Sequence, residues 1–335
     1  MMFRLSLIAC CFLVLCSCRD EFTLEGDYQD IPVAYAFLNP DDDRHFVRVQ
    51  KAFLQAGGNA EENAAITDSI YYGPGEAGVF LENRTESLIT ELERVNGQDF
   101  GLDRADGVFA NSPNVLYTVR DDVFNLEGGD DVRLLITRPS ETDAVAEAKI
   151  INAIEINRPT DMVRVDDYER SLAMTWSKEE GAAIYAITIF MDIRELFPGD
   201  ISRNRDIRLE WNISNSFVPG GDQASENLVR FDVLNESFYQ FIGGALEPED
   251  GVVRRFQNFD LQISAAGQAV LDRRLQENAN AGLTSSQALP PYTNLVGGLG
   301  MVTSTVSTLR EDIMVDGGSL DSLKDGIHTR NLGFQ

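Results

Sequence analysis

The strongest constraint on this chain is a two-residue alternation of apolar and polar positions that recurs from Ile31 to Ser264. A period of two matches the pleat of a β-strand, so each such run lays one face on a core. Residues 31–38 are apolar and β-prone. The cluster Asn39-Pro40-Asp41-Asp42-Asp43 then turns the chain, and residues 45–53 alternate, which predicts a β-hairpin with a polar tip. Further strands are expected over 78–81, 87–95, 115–119 and 132–137, with Asn96-Gly97 and Gly128-Gly129-Asp130 as punctuation. The fold class is therefore mainly β, and two short helices are expected in the C-terminal half.

Polar residues at 139–144 predict a domain boundary, with an N-terminal β domain over 31–142 and a second over 143–264. In the second, Leu172, Met174 and Trp176 alternate with polar positions. Lys178-Glu179-Glu180-Gly181 turns the chain, and Tyr185, Ile187 and Ile189 share a face. A core Trp on one strand and a core Tyr on the next resemble an immunoglobulin or fibronectin type III β-sandwich, in which two sheets share one core. Strands over 206–214, 228–234 and 252–264 extend it. The two helices are a helical insertion capped by Asn235 and striped with Phe238, Phe241, Ile242 and Leu246, where Gly243-Gly244 offers an early end, and one over 265–278. Residues 265–335 then read as that C-terminal helix followed by an irregular tail.

All four cysteines lie among the first eighteen residues. Arg4 and the apolar run 5–15 form a signal peptide, too short for a permanent span. Leu15-Cys16-Ser17-Cys18 resembles the bacterial lipobox, which implies cleavage between Ser17 and Cys18 and lipidation of Cys18. That makes 1–17 the signal peptide and 18–30 the anchor and linker. Two or more acyl chains anchor stably, at about 0.8 kcal/mol per buried CH₂. Arg19-Asp20-Glu21 resembles the surface-export signal of Bacteroidota lipoproteins, which implies an outer-membrane, cell-surface location. The processed chain keeps one thiol, already lipidated. Disulfides and cysteine chemistry are thus excluded, and the core alone holds the fold.

Three segments carry a wider resemblance: Val47-Arg48-Val49-Gln50-Lys51-Ala52-Phe53-Leu54 with Gly58-Asn59-Ala60, then Asp68-Ser69-Ile70-Tyr71-Tyr72, and Tyr292-Thr293-Asn294-Leu295-Val296-Gly297-Gly298-Leu299-Gly300. On these the chain resembles uncharacterised Bacteroidota outer-membrane lipoproteins, a domain-of-unknown-function family. The resemblance implies compartment and β-rich architecture, and no activity. Relatives carry an aromatic after the last glycine, where this chain has Met301-Val302.

The formal charge of −26 argues against nucleic acid, which needs a basic face. It suits a protein kept soluble beside an anionic surface. Two histidines, His45 and His328, cannot build a three-His metal centre and read as ordinary structural residues. Gly297-Gly298-Leu299-Gly300 lacks the spacing of a phosphate loop and reads as a tight turn or close backbone approach. The acidic clusters 41–43, 121–122, 128–131 and 316–321 read as solvated tips, with weak calcium binding as the alternative. Ser69 and Ser322 match a short O-glycosylation acceptor pattern of Bacteroidota. Asn83, Asn212 and Asn235 match the eukaryotic N-linked pattern, which carries no meaning in a bacterial lipoprotein. No cofactor motif and no catalytic motif is present. The expected function is a non-enzymatic binding or accessory module beside an outer-membrane nutrient transporter. The alternatives are a carboxylate-based, glycosidase-like hydrolase or a structural or adhesion protein of the envelope.

Overall fold

The computed structural model describes residues 30–52, 64–220, 227–281 and 290–335. Alternating runs become strands because each has one apolar face to bury. The first eight are β1 (Ile31–Leu38), β2 (Arg44–Ala52), β3 (Gly78–Asn83), β4 (Leu88–Glu91), β5 (Glu93–Asn96), β6 (Val115–Arg120), β7 (Asp131–Thr137) and β8 (Ala144–Lys149). The others are β9 (Ile156–Arg158), β10 (Met162–Val163), β11 (Ser171–Ser177), β12 (Ala182–Leu196), β13 (Arg205–Phe217), β14 (Leu228–Leu234), β15 (Val253–Gly267) and β16 (Leu299–Val315). Five helices interrupt them: α1 (Thr67–Ile70), α2 (Asp121–Phe124), α3 (Asn235–Ala245), α4 (Gln268–Ala281) and α5 (Gly317–Asp325).

The strands make two sandwiches that share one long sheet, ordered β13-β12-β15-β16-β1-β2-β6-β5. Its β1-β2-β6-β5 end packs on the sheet β4-β3-β7-β8 around Ala36, Val47, Leu81, Val119, Leu134 and Ala146. Its β13-β12-β15-β16 end packs on β9-β11-β14 around Trp176, Tyr185, Ile189, Val229, Phe259 and Ile263. Trp176 and Tyr185 are both buried, with ring centroids 5.4 Å apart, as the sequence predicts for core residues.

Strand β16 joins the two halves. Residues 299–304 run parallel to β1, and residues 305–313 run antiparallel to β15. The sequence expectation of an irregular tail is therefore corrected. The reason lies in the pattern, because residues 300–304 are buried and do not alternate. Further on, Asp312 takes a left-handed φ of 59° opposite a register shift between Phe259 and Leu261. This bulge changes the inward parity from Val306 to Ile313 and Val315. The chain end is ordered too. Arg254 donates through Nε to Glu195 Oε1 (2.7 Å) and through Nη1 to the Leu332 carbonyl (2.7 Å). Arg205 Nε donates to the other Glu195 oxygen at 2.5 Å.

The expected boundary moves as well. Residues 139–142 are the turn of the β7–β8 hairpin, with Ser140 at φ 64°, so β8 belongs to the N-terminal sandwich. The change falls where Ile150 enters one core and Ile151 the other. Asn235 is the first residue of α3 rather than its cap. Its Nδ2 donates instead to the Asp167 carbonyl at 2.9 Å. That helix continues through Gly243-Gly244 to Ala245, and a Cβ on Gly243 would stand 2.5 Å from the His328 carbonyl oxygen.

The glycine stretch is a close backbone approach, as expected. Gly300 has φ +113°, and a Cβ there would stand 1.9 Å from the Ala34 carbonyl oxygen. Gly300→Ala should therefore lower stability by about 3 kcal/mol or more. Gly101→Ala, at φ +73° with open space around it, should cost only about 1 kcal/mol. Denaturant melts of the two variants compare them directly, and equal losses would mean that the β1–β16 approach is not tight. Burial opposes ionisation of Glu195, but the hydrogen bonds and charges of Arg254 and Arg205 outweigh it, so its carboxyl is held below the usual range. A lowered folded-state pKa gives stability that is present above the unfolded value of about 4.3. That stability is lost as pH falls through the lowered value. Glu195→Gln should thus lower the melting temperature at neutral pH and flatten the acid limb of its pH profile.

Candidate functional site

The outer face of the β1–β2 hairpin breaks the usual rule for a one-sided sheet. Ala34, Ala36, Val47 and Val49 point into the core, so the alternate positions should be polar. They carry Tyr35 and Phe37 on β1, exposed by 37% and 50%, and Phe46 and Arg48 on β2. Tyr35 lies directly across the ladder from Arg48, and Val33 across from Gln50.

Two segments frame this face. The loop between β5 and β6 starts in a 3-10 turn, Gly97–Phe100, where the Asn96 side chain accepts from the Gln98 amide. Gly97 N donates to the Asn114 carbonyl (2.7 Å), and Asn114 Nδ2 to the Leu102 carbonyl (2.6 Å). The loop is thereby pinned to the start of β6. It sets Phe100 edge-on to Phe46, with centroids 5.5 Å apart, and the Arg44 guanidinium 5.0 Å over the Phe100 ring. On the other side, α1 delivers the buried Tyr71.

Tyr71 gathers two cations. Arg104 Nη1 donates to its hydroxyl at 3.1 Å, and the Arg104 guanidinium stacks 4.5 Å over Phe109. Arg48 on β2 lies near enough to Tyr71 to interact with it electrostatically. Burial, helped by the like charge of Arg104, pulls the Arg48 guanidinium below its ordinary range. Neither arginine forms an ion pair among the described residues. Arg48 Nη1 and Gln50 Nε2 are buried with no hydrogen-bond partner among the described residues. A buried donor without an acceptor costs about 1–3 kcal/mol, so the free protein holds this arrangement at a loss.

The residues singled out from sequence lie elsewhere. Ser17 and Cys18 fall outside the described residues. Ser69 is half-buried in α1. Ser322 is half-buried in α5, with its hydroxyl donating to the Gly318 carbonyl at 3.1 Å. His45 is buried against Phe124, with Nε2 2.9 Å from Asp121 Oδ1. His328 pairs with Glu236 at 2.9 Å. The acidic clusters act locally. Asp316 caps α5 through the Ser319 amide, Asp130 accepts from Asn83 Nδ2 and the Glu127 amide, and Asp121 accepts from the Leu126 amide. No group of three or more His, Cys, Asp or Glu able to hold a metal ion occurs among the described residues. Among the described residues, the carboxyls of Glu76, Asp122, Asp166, Glu195 and Asp200 are held below their ordinary range by hydrogen bonds and neighbouring cations.

Among the described residues, no helix is long and apolar enough to cross a membrane. No protein-family model matches the chain, and no curated protein matches it. Among solved structures it is similar, at 9% identity, to one described as "Structural insight into host cell surface retention of a 1.5-MDa bacterial ice-binding adhesin". The TM-score is 0.18, over 86% of this chain and 66% of that one, so the chain spans just under two thirds of that structure. A likeness of this size establishes neither fold nor function.

The uncompensated guanidinium gives a direct stability test. Arg48→Met keeps the aliphatic stem and removes the buried charge, so it should raise stability by about 1 kcal/mol. A loss in thermal or denaturant melts would show instead that the guanidinium supports the fold.

Proposed function

We propose that the chain is a non-enzymatic binding module of the bacterial cell envelope. Cys18 anchors it by lipid to the outer membrane on the cell-surface side, where it docks on another envelope protein such as a nutrient transporter. The aromatic and arginine face on β1 and β2 carries this reading. Protein interfaces are enriched in Tyr, Phe and Arg, and their binding energy concentrates in such anchors. A sheet face that leaves aromatic rings in water and a buried donor unpaired is costly in a free monomer and sensible in a complex. The signal-peptide run and the lipobox-like Leu15-Cys16-Ser17-Cys18 support the anchor.

The C-terminal sandwich is of the immunoglobulin or fibronectin type III kind. Its support is the three-stranded sheet β9-β11-β14 facing β13-β12-β15-β16, with Trp176 and Tyr185 on consecutive strands. Such sandwiches serve many unrelated activities, so the function rests on the face and not on the fold.

Growth with an alkyne-bearing fatty acid tests the anchor. The natural chain should take up the label, sediment with outer membranes and be shaved by protease from intact cells. Cys18→Ser should remain unlabelled and leave the membrane fraction. Label retained by Cys18→Ser would overturn the anchor, and resistance to shaving would place the protein on the periplasmic side.

A further inference from the structure

Among the described residues, three arginines are neutralised by an aspartate two residues along the strand or turn. Arg164 Nε and Nη2 grip Asp166 at 2.8 and 2.9 Å, and Arg230 grips Asp232 at 2.7 and 2.8 Å. Arg120 grips Asp122 in the same way. Side chains two apart on a strand share a face, so the pairing needs no further structure. At Arg48 the corresponding position is Gln50, whose amide Nε2 is a second buried donor without a partner. Arg104 adds a third donor group on the Tyr71 hydroxyl, 33 residues away in sequence. A chain with 54 acidic residues places none of them in an ion pair with these two guanidiniums among its described residues.

We propose that Arg48, Gln50, Tyr71 and Arg104 form a carboxylate-binding site, and that with Tyr35 and Phe37 it receives an acidic polypeptide segment of the partner protein. The inference rests on the docking role given above and names the chemistry of what docks. Guanidiniums match a carboxylate in fork geometry, and clusters of them read acidic motifs. The two aromatic rings stand out from a sheet face, where the apolar side chains of a peptide can lie flat between charged neighbours. Charge complementarity fixes the occupant. An acidic segment gains contact with two guanidiniums that no carboxylate among the described residues neutralises.

The test uses the full chain in detergent with three probes. One is a fluorescent octapeptide alternating glutamate and phenylalanine, the second the same peptide with glutamine for glutamate, and the third oligogalacturonate. The glutamate peptide should bind saturably, and the glutamine peptide at least tenfold more weakly. Arg48→Gln and Arg104→Gln should each weaken binding at least tenfold, with circular dichroism unchanged. Arg255→Gln, at an exposed position on β15, should leave it unchanged. Oligogalacturonate should not compete. Absence of saturable binding, or affinity indifferent to both substitutions, overturns the proposal. Displacement by oligogalacturonate at equal carboxylate concentration also overturns it and assigns an acidic glycan. A photo-crosslinking residue in place of Phe37 separates the two readings in intact membranes. Capture of an envelope protein together with failure of the peptide to bind leaves the docking role standing and removes the acidic segment. Failure of both removes both.

Discussion

Much of this molecule depends on the pairing of one strand with two sandwiches. The first third of β16 completes the N-terminal unit beside β1, and the middle of the same strand closes the C-terminal unit beside β15. The segment before it is drawn in as well. Leu295 enters the N-terminal core, and Val296 pairs with Val145 near the start of β8. Asn294 locks the entry by donating to the Val302 carbonyl at 2.7 Å and accepting from the Val302 amide at 3.0 Å. The N-terminal sandwich, built mostly from residues 31–150, is thus unfinished until residues near 300 arrive. A loop of that length must close before its contacts stabilise anything, which makes folding slow and couples the two cores. Ser304 continues the coupling at the boundary, where its hydroxyl accepts from the Ile151 amide at 3.1 Å.

What the sequence reveals divides along the same line. The β1–β2 hairpin, Trp176 with Tyr185, and the glycine approach are readable because each depends on local alternation or on one residue's lack of a Cβ. Strand β16 is hidden because its opening residues are buried without alternating and the bulge at Asp312 inverts the parity further on. The boundary is misplaced because a polar run can be a linker or a hairpin turn, and only the pairing of β7 with β8 distinguishes them. The candidate face is hidden for a further reason. Its members at positions 35–50, 71 and 100–104 are scattered, and their meeting is a tertiary fact. One signal was present: β1 is apolar on both faces, with Tyr35 and Phe37 at positions that a half-exposed sheet would give to polar residues.

The arginines show how a strongly acidic chain controls its own field. With 28 basic and 54 acidic side chains, many of the described arginines pair with a carboxylate, Arg84 with Glu147 and Arg194 with Asp206 among them. Pairing within two residues removes an arginine's charge from view at almost no conformational cost. These exposed pairs add little to stability. Their effect is to hold those cations locally on a chain whose formal charge is −26.

Arg48 and Arg104 meet beside one buried phenol with no carboxylate among the described residues to neutralise them. Beyond a Debye length of about 8 Å at physiological salt, a partner feels only the local charge. A neutral partner gains little from Arg48 and Arg104, and a basic one is drawn to the acidic remainder of the surface. An acidic segment gains at the β1–β2 face, where donors without an acceptor among the described residues lower the free energy of contact and the aromatic rings supply area. The same arrangement that weakens the free protein therefore sets both the place and the sign of what it binds.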